Sequence, residues 1–68
     1  MKPGSKLKNG AVVLLMYANP EETIVLAYWV GNNMPYVTWR VDEDGYSFWG
    51  HYYKEYDEAK AGFDKRIK

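Results

Sequence analysis

The 68-residue chain has no cysteine and a single histidine, and these shortages exclude several kinds of site. Without cysteine, the chain forms neither a disulfide scaffold nor a thiolate zinc site. A zinc site built from histidines has no second ligand here, so we expect no metal and no other cofactor. The nine basic and nine acidic residues cancel. No net charge therefore draws the chain to nucleic acid or to a membrane.

Long apolar runs are also missing. The first run covers residues 11–18, far short of the roughly 20 residues that a membrane helix needs. Asn19 and Pro20 interrupt it, and the preceding residues lack the apolar core of a signal peptide. We therefore expect no membrane segment and a cytoplasmic location.

Hydrophobic residues are plentiful, at 47%, and aromatic residues make up 18% of the chain. This composition excludes a disordered chain and predicts one small domain over residues 1–68. The charges are segregated: residues 1–10 carry +3, residues 11–57 carry −5 and residues 58–68 carry +2. Such blocks are typical of solvated ends and acidic turns.

The arrangement of apolar runs predicts an α+β fold. Four runs rich in β-branched and aromatic residues cover residues 11–18, 23–30, 36–41 and 46–54, with turn signals between them. They predict a four-stranded antiparallel β-meander over residues 11–54. Asn9-Gly10 favours a tight turn that would add a short extra strand from the basic N-terminal segment, residues 1–10.

The end of the chain changes to a helical period, which predicts one C-terminal helix over residues 57–68 and a ββββα order. Asp57 is the predicted N-cap, and Gly62 inside the helix suggests that a strand approaches closely there. The apolar residues of one helix face are Tyr56, Ala59, Phe63 and Ile67.

Strand alternation divides the last hairpin into two faces. A four-residue loop, Asp42 to Gly45, would pair Val41 with Tyr46, Trp39 with Phe48 and Val37 with Gly50. The apolar face, predicted to lie under the helix, carries Val37, Trp39, Val41, Tyr46, Phe48 and Tyr52. In this arrangement Gly50 leaves room for Phe63.

The other face of this hairpin mixes aromatic and polar side chains, and it is the predicted contact surface. The first two strands are apolar on both faces, so one helix leaves a large apolar surface uncovered, which usually marks an interface. A second copy of the chain, another protein or the curl of the sheet into a small barrel would cover it. The predicted contact residues are Tyr36, Arg40, Trp49, His51, Tyr53 and, from the second strand, Trp29.

No catalytic arrangement is visible. Ser47 and His51 lie four residues apart on one strand, about 13 Å, whereas a nucleophile and its base must approach to about 3 Å. His51 is instead expected opposite Tyr36. The acidic turn at Asp42 lacks the glutamate of a calcium loop, since Tyr53 stands there. We expect the protein not to be an enzyme.

The residue types of the contact surface predict a protein-interaction module, with a homodimer as one form of it, because Trp, Tyr and Arg dominate binding hot spots. The alternative is a single-stranded nucleic-acid-binding module that stacks bases on the same face, which the neutral net charge disfavours. Residues 36–68 resemble the WGR domain, a nucleic-acid-binding module, through Trp49-Gly50-His51 and the ending Tyr56-Asp57-Glu58-Ala59…Phe63. Histidine replaces the family's arginine, so we base no assignment on this resemblance.

Overall fold

A computed structural model describes residues 2–67 as four strands followed by one helix. The elements are β1 (Val12–Ala18), β2 (Thr23–Tyr28), β3 (Tyr36–Val41), β4 (Ser47–Tyr53) and α1 (Tyr56–Arg66). The strands form one antiparallel sheet in the order β1-β2-β3-β4, which confirms the predicted ββββα meander. The predicted extra strand is reduced to an isolated bridge between Lys6 and Val12. The predicted helix end at residue 68 lies outside the described residues.

The loop of the β3–β4 hairpin is one residue shorter than predicted. The backbone N–H of Asp42 donates to the carbonyl of Tyr46 at 3.0 Å, which leaves a three-residue loop, residues 43–45. Gly45 has a φ of 88°, the left-handed conformation that ends such loops. The predicted pairs Val41–Tyr46, Trp39–Phe48 and Val37–Gly50 are therefore wrong, and the observed pairs are Val41–Ser47, Arg40–Phe48 and Val37–Tyr52.

A bulge in β4 shifts the register by a further residue, because Trp49 and Gly50 together face Trp39. Gly50 makes this possible: a Cβ there would lie 2.6 Å from Nε1 of Trp39 and 3.2 Å from a ring carbon of Tyr52. The large neighbour of Gly50 is thus Trp39, and the prediction that it is Phe63 is wrong. The buried Trp39 takes the space that a side chain at position 50 would fill.

Helix α1 begins after Glu55, whose side chain makes no capping hydrogen bond, so the prediction of Asp57 as N-cap is wrong. Asp57 and Glu58 lie in the first turn, where they suit the positive end of the helix dipole. Ala59 and Phe63 are buried, as the spacing predicts. Gly62 lies against the phenol of Tyr53, which confirms the close approach of a strand. No helix within residues 2–67 is long and apolar enough to cross a bilayer.

The helix covers the face opposite to the predicted one. Ala59 and Phe63 pack with Ile24 and Leu26 of β2. Because Ile24 pairs with Arg40, and Leu26 pairs with Thr38, this face contains the even-numbered residues of β3. The partly buried residues around this cluster are Leu14, Leu15, Tyr36, Tyr53 and Ile67.

The N-terminal segment covers the second face of the sheet. Leu7 is 6% exposed and joins an apolar cluster with the odd-numbered residues of β3. Backbone hydrogen bonds tie the segment to β1: Gly4 N–H donates to Val13 at 2.7 Å, and Val13 N–H donates to Ser5 at 2.8 Å. The buried members of this cluster are Leu7, Ala11, Val13, Val25, Ala27, Val37, Trp39 and Val41. The second face was expected to be covered by a second copy, another protein or the curl of the sheet, and the N-terminal segment of the same chain covers it instead.

Arg66 ties the end of α1 to β3. Its Nη1 donates to the carbonyl oxygen of Thr38 at 2.9 Å and to the Thr38 hydroxyl at 3.0 Å. Burial lowers the pKa of Arg66, while Tyr53 and Glu22 oppose that shift.

Candidate interaction surface

Trp49 combines high exposure with an unusual backbone conformation. Its side chain is 66% exposed, and its φ is 56°, the only positive value at a non-glycine residue within residues 2–67. The left-handed conformation costs an L-residue with a Cβ roughly 1–2 kcal/mol. The bulge imposes this conformation and turns the indole into solvent.

Arg40 lies beside Trp49 and is held by the turn between β1 and β2. Its Cζ is 5.4 Å from the Trp49 ring centroid and 5.8 Å from that of Phe48. Its Nη2 donates to the carbonyl oxygen of Glu21 at 3.4 Å, and its Nε is 3.8 Å from Oε1 of Glu22. The guanidinium thus supports the aromatic rings while its donors point to the turn. Arg40, Phe48 and Trp49 are named here the Trp49 corner.

A hollow of about 380 Å³ adjoins the Trp49 corner. It lies between the β1–β2 turn and the β3–β4 turn, and we name it the turn hollow. Its lining residues are Asn19, Pro20, Glu21, Glu22, Thr23, Arg40, Val41, Asp42, Glu43 and Phe48. Arg40 and Phe48 belong to both features, so the corner and the hollow form one continuous surface.

The turns place several carboxylates around this hollow. Asn19 shapes the first turn, since its Oδ1 accepts the N–H groups of Glu21 and Glu22, each at 2.8 Å. Asp42 shapes the second, since its Oδ1 accepts the N–H groups of Asp44 at 3.0 Å and Tyr46 at 2.9 Å. The lining residues include four acidic residues and one arginine. The surface is therefore negative, although the whole chain is neutral.

The structure does not bring all six predicted contact residues together. Tyr36 and Tyr53 pair across β3 and β4, but both are partly buried against the helix-side cluster. Tyr36 also contacts Tyr28 and Tyr56 edge-to-face, at centroid distances of 5.3 and 5.9 Å. The tyrosines therefore contribute mainly to the support of the helix.

The other two predicted residues lie apart from the Trp49 corner. Trp29 packs on the second face, 5.4 Å from the Trp39 ring centroid and 6.3 Å from that of Tyr52. His51 is exposed and faces Thr38, so its predicted position opposite Tyr36 is wrong. Arg40 and Trp49 alone remain adjacent on an accessible surface.

Sequence reasoning missed Phe48, Glu21 and Glu22. Phe48 was placed on the core face because the register was read without the three-residue loop. The glutamates were read as part of a solvated turn, although Asn19-Pro20 signals the tight turn that folds them back toward Arg40. A register that paired Arg40 with Phe48 would have found the Trp49 corner.

The groups of this surface are suited to non-covalent contacts. Its groups are an indole, a benzyl ring, a guanidinium and carboxylates, which suit stacking and ion pairing. No set of three or more His, Cys, Asp or Glu residues in the described part of the chain is arranged to hold a metal ion. Comparisons with known protein families, with curated proteins and with solved structures found no match.

Proposed function

We propose that the protein is a small, non-catalytic protein-interaction module whose contact surface is the Trp49 corner. The observation that carries this proposal is the 66% exposed indole on a left-handed backbone. Strained conformations of this kind concentrate at functional sites. Exposed tryptophan beside arginine is also the composition of binding hot spots.

The free protein gains little from this arrangement of Trp49. The indole touches Phe48 edge-to-face, with 5.1 Å between the ring centroids, and rests near Arg40, but most of its surface meets water. A partner that covered the indole would bury apolar area worth about 25 cal/mol per Å². Binding would therefore supply the stabilisation that the fold alone does not provide.

The charges favour a protein over nucleic acid. Phosphate binding depends on cationic side chains that neutralise the backbone. The turn hollow instead places Glu21, Glu22, Asp42 and Glu43 next to the corner, and Arg40 is already directed at the first two residues. A second copy of the chain is also less favoured, because both faces of the sheet are covered within the chain.

The test compares Trp49→Asn with Tyr46→Ala, since Tyr46 is also an exposed aromatic residue and follows the same turn. Each tagged variant captures proteins from a lysate of the source organism, and mass spectrometry compares the bound sets. We expect one partner to be retained by the wild type and Tyr46→Ala and to be lost with Trp49→Asn.

A second arm titrates the wild type with a ten-nucleotide oligothymidine at low salt and follows tryptophan fluorescence. We expect no quenching. Salt-sensitive quenching would identify a nucleic-acid-binding module instead. Equal capture by Trp49→Asn and the wild type would remove the Trp49 corner as the contact surface.

A further inference from the structure

We infer that the partner presents a cationic side chain, preferably arginine rather than lysine, that enters the turn hollow. The apolar residue next to it in the partner packs on Trp49. This inference rests on the proposed function and names the chemistry of the partner. The occupant is an exposed segment of another protein in which a basic residue stands next to an apolar one.

The shape of the turn hollow suits one long side chain. Its volume of about 380 Å³ is enough for such a side chain together with a few ordered waters. Val41 and Phe48 provide apolar lining, and the two turns provide polar walls. A long, amphipathic side chain such as that of arginine packs its methylenes on such a lining and keeps its charge near the polar walls.

The charges of the hollow specify the sign of that side chain. Glu22 is paired with Arg40, and the distance from Nε to Oε1 is 3.8 Å. The carboxylates of Glu21, Asp42 and Glu43 have no cationic partner within 4.0 Å in the described part of the chain. An incoming guanidinium would therefore find uncompensated negative charge, whereas a phosphate or carboxylate would be repelled.

Trp49 receives the apolar neighbour, and the lining of the turn hollow explains the preference for arginine. One side of the indole is occupied by Arg40, while its 66% exposure leaves a large part of the ring open. A guanidinium stacks on an aromatic face and forms forked hydrogen bonds to carboxylates, whereas an ammonium acts as a point charge. The hollow offers both kinds of contact, because Phe48 and four acidic residues line it, and the open part of the indole is left for the apolar residue.

The test uses nuclear magnetic resonance on the ¹⁵N-labelled full chain. Two peptide amides are added separately to millimolar concentration: acetyl-Gly-Leu-Arg-Leu-Gly and the same peptide with Glu in place of Arg. The three tryptophan indole N–H signals report on position, since Trp29 and Trp39 lie on the second face. We expect the arginine peptide to shift the Trp49 signal and the backbone signals of the two turns, and the glutamate peptide to shift none of them.

A charge variant tests the role of the hollow itself. Glu21→Gln combined with Glu43→Gln is expected to weaken the binding of the arginine peptide by about threefold to tenfold. The reason is that each exposed charge pair contributes up to about 1 kcal/mol. Glu58→Gln, in the first turn of α1, is the control and should leave the affinity unchanged. Both variants must retain the dispersed spectrum of the wild type.

The inference is overturned if the arginine peptide leaves the Trp49 signal in place, if the glutamate peptide shifts it equally, or if the double variant binds the arginine peptide as the wild type does. The proposed function is tested separately, by the capture experiment with Trp49→Asn. Capture that depends on Trp49, combined with any of these results, would leave a partner of different chemistry at the same surface.

Discussion

Trp49 and Gly50 are neighbours in the β4 bulge, and only Gly50 has the residue type that its surroundings require. The left-handed position, where glycine is free of strain, holds tryptophan. The next position, which has no room for a Cβ beside Trp39, holds glycine. The bulge thus buries one tryptophan in the core and exposes another to solvent. Packing explains the first tryptophan, and binding is our explanation for the second.

If Trp49 serves binding rather than folding, Trp49→Asn should leave the free energy of unfolding unchanged or raise it by up to about 1 kcal/mol, because asparagine tolerates the left-handed conformation. Urea unfolding followed by far-ultraviolet circular dichroism measures this. Trp39→Ala is the contrast, expected to lose about 3–5 kcal/mol as a buried aromatic residue. A comparable loss in Trp49→Asn would place the indole in the core.

Gly50→Ala should destabilise the protein by about 1–3 kcal/mol, the usual cost of overpacking. The new Cβ would meet Trp39, which is fixed between Trp29 and Tyr52 and cannot easily move away. The same unfolding experiment measures the loss.

Gly62→Ala is the matched control for that experiment. Its Cβ also meets an aromatic ring, but the contact is with the phenol end of Tyr53, and alanine adds about 1 kcal/mol of helix propensity. The two effects oppose each other, so its net change should be the smaller one. A larger loss for Gly62→Ala would show that Trp39 yields more readily than Tyr53.

Individual residues also show where prediction from sequence ends. The turn was predicted at residues 42–45, but its length depends on whether Asp42 closes the hairpin or belongs to the loop. Asp42 closes it, with its side chain bound to the N–H groups of Asp44 and Tyr46. That single residue moves Phe48 to the other face. The Trp49 bulge then adds a second shift, so Tyr36 and Tyr53 share a face as predicted.

At the scale of elements, the hydrophobic period of each segment predicts whether it forms a strand or a helix and in which order these follow. It does not predict which face of the sheet the helix covers. Strand and helix patterns predicted all four strands and α1 within a few residues. Both faces of β1 and β2 are apolar, however, so the pattern does not say which face receives the helix. Contacts between residues that are far apart in the sequence decide this. Phe63 and Leu26 belong to one buried cluster, and Arg66 donates a hydrogen bond to Thr38. The N-terminal segment takes the remaining face.

Leu7 makes the N-terminal segment part of the core, and Leu7→Ala should therefore cost about 2–5 kcal/mol. A domain of this size has little stability in reserve, so the variant should unfold partly and bind the dye anilinonaphthalene sulfonate. Lys8→Ala is the control, since it removes only the contact of the ammonium with the Tyr46 ring at 4.1 Å. It should cost no more than about 1 kcal/mol. Equal losses of stability in Leu7→Ala and Lys8→Ala would mean that the N-terminal segment lies on the surface and is not part of the core.

At the scale of the whole molecule, helix α1 and the N-terminal segment cover the two apolar faces of the sheet, so these faces do not by themselves indicate an interface. Trp39, 4% exposed, and Val37, fully buried, belong to a face that a single helix leaves uncovered. The sequence alone suggested a second copy of the chain as one cover for that face. The N-terminal segment instead covers the face within one chain. The proposed binding surface is then a corner at the turn end of the sheet.

We therefore expect the purified protein to be a monomer. Light scattering over a concentration series should give a mass near 8.0 kDa at every concentration, because helix α1 and the N-terminal segment already cover the two faces of the sheet. The Trp49 corner consists of three residues, whereas a standard stable interface involves roughly 20–30 residues on each side. A mass that doubles with concentration would contradict the monomer, and Trp49→Asn would then locate the contact. If that variant returned the mass to 8.0 kDa, the partner of the Trp49 corner would be a second copy of the chain.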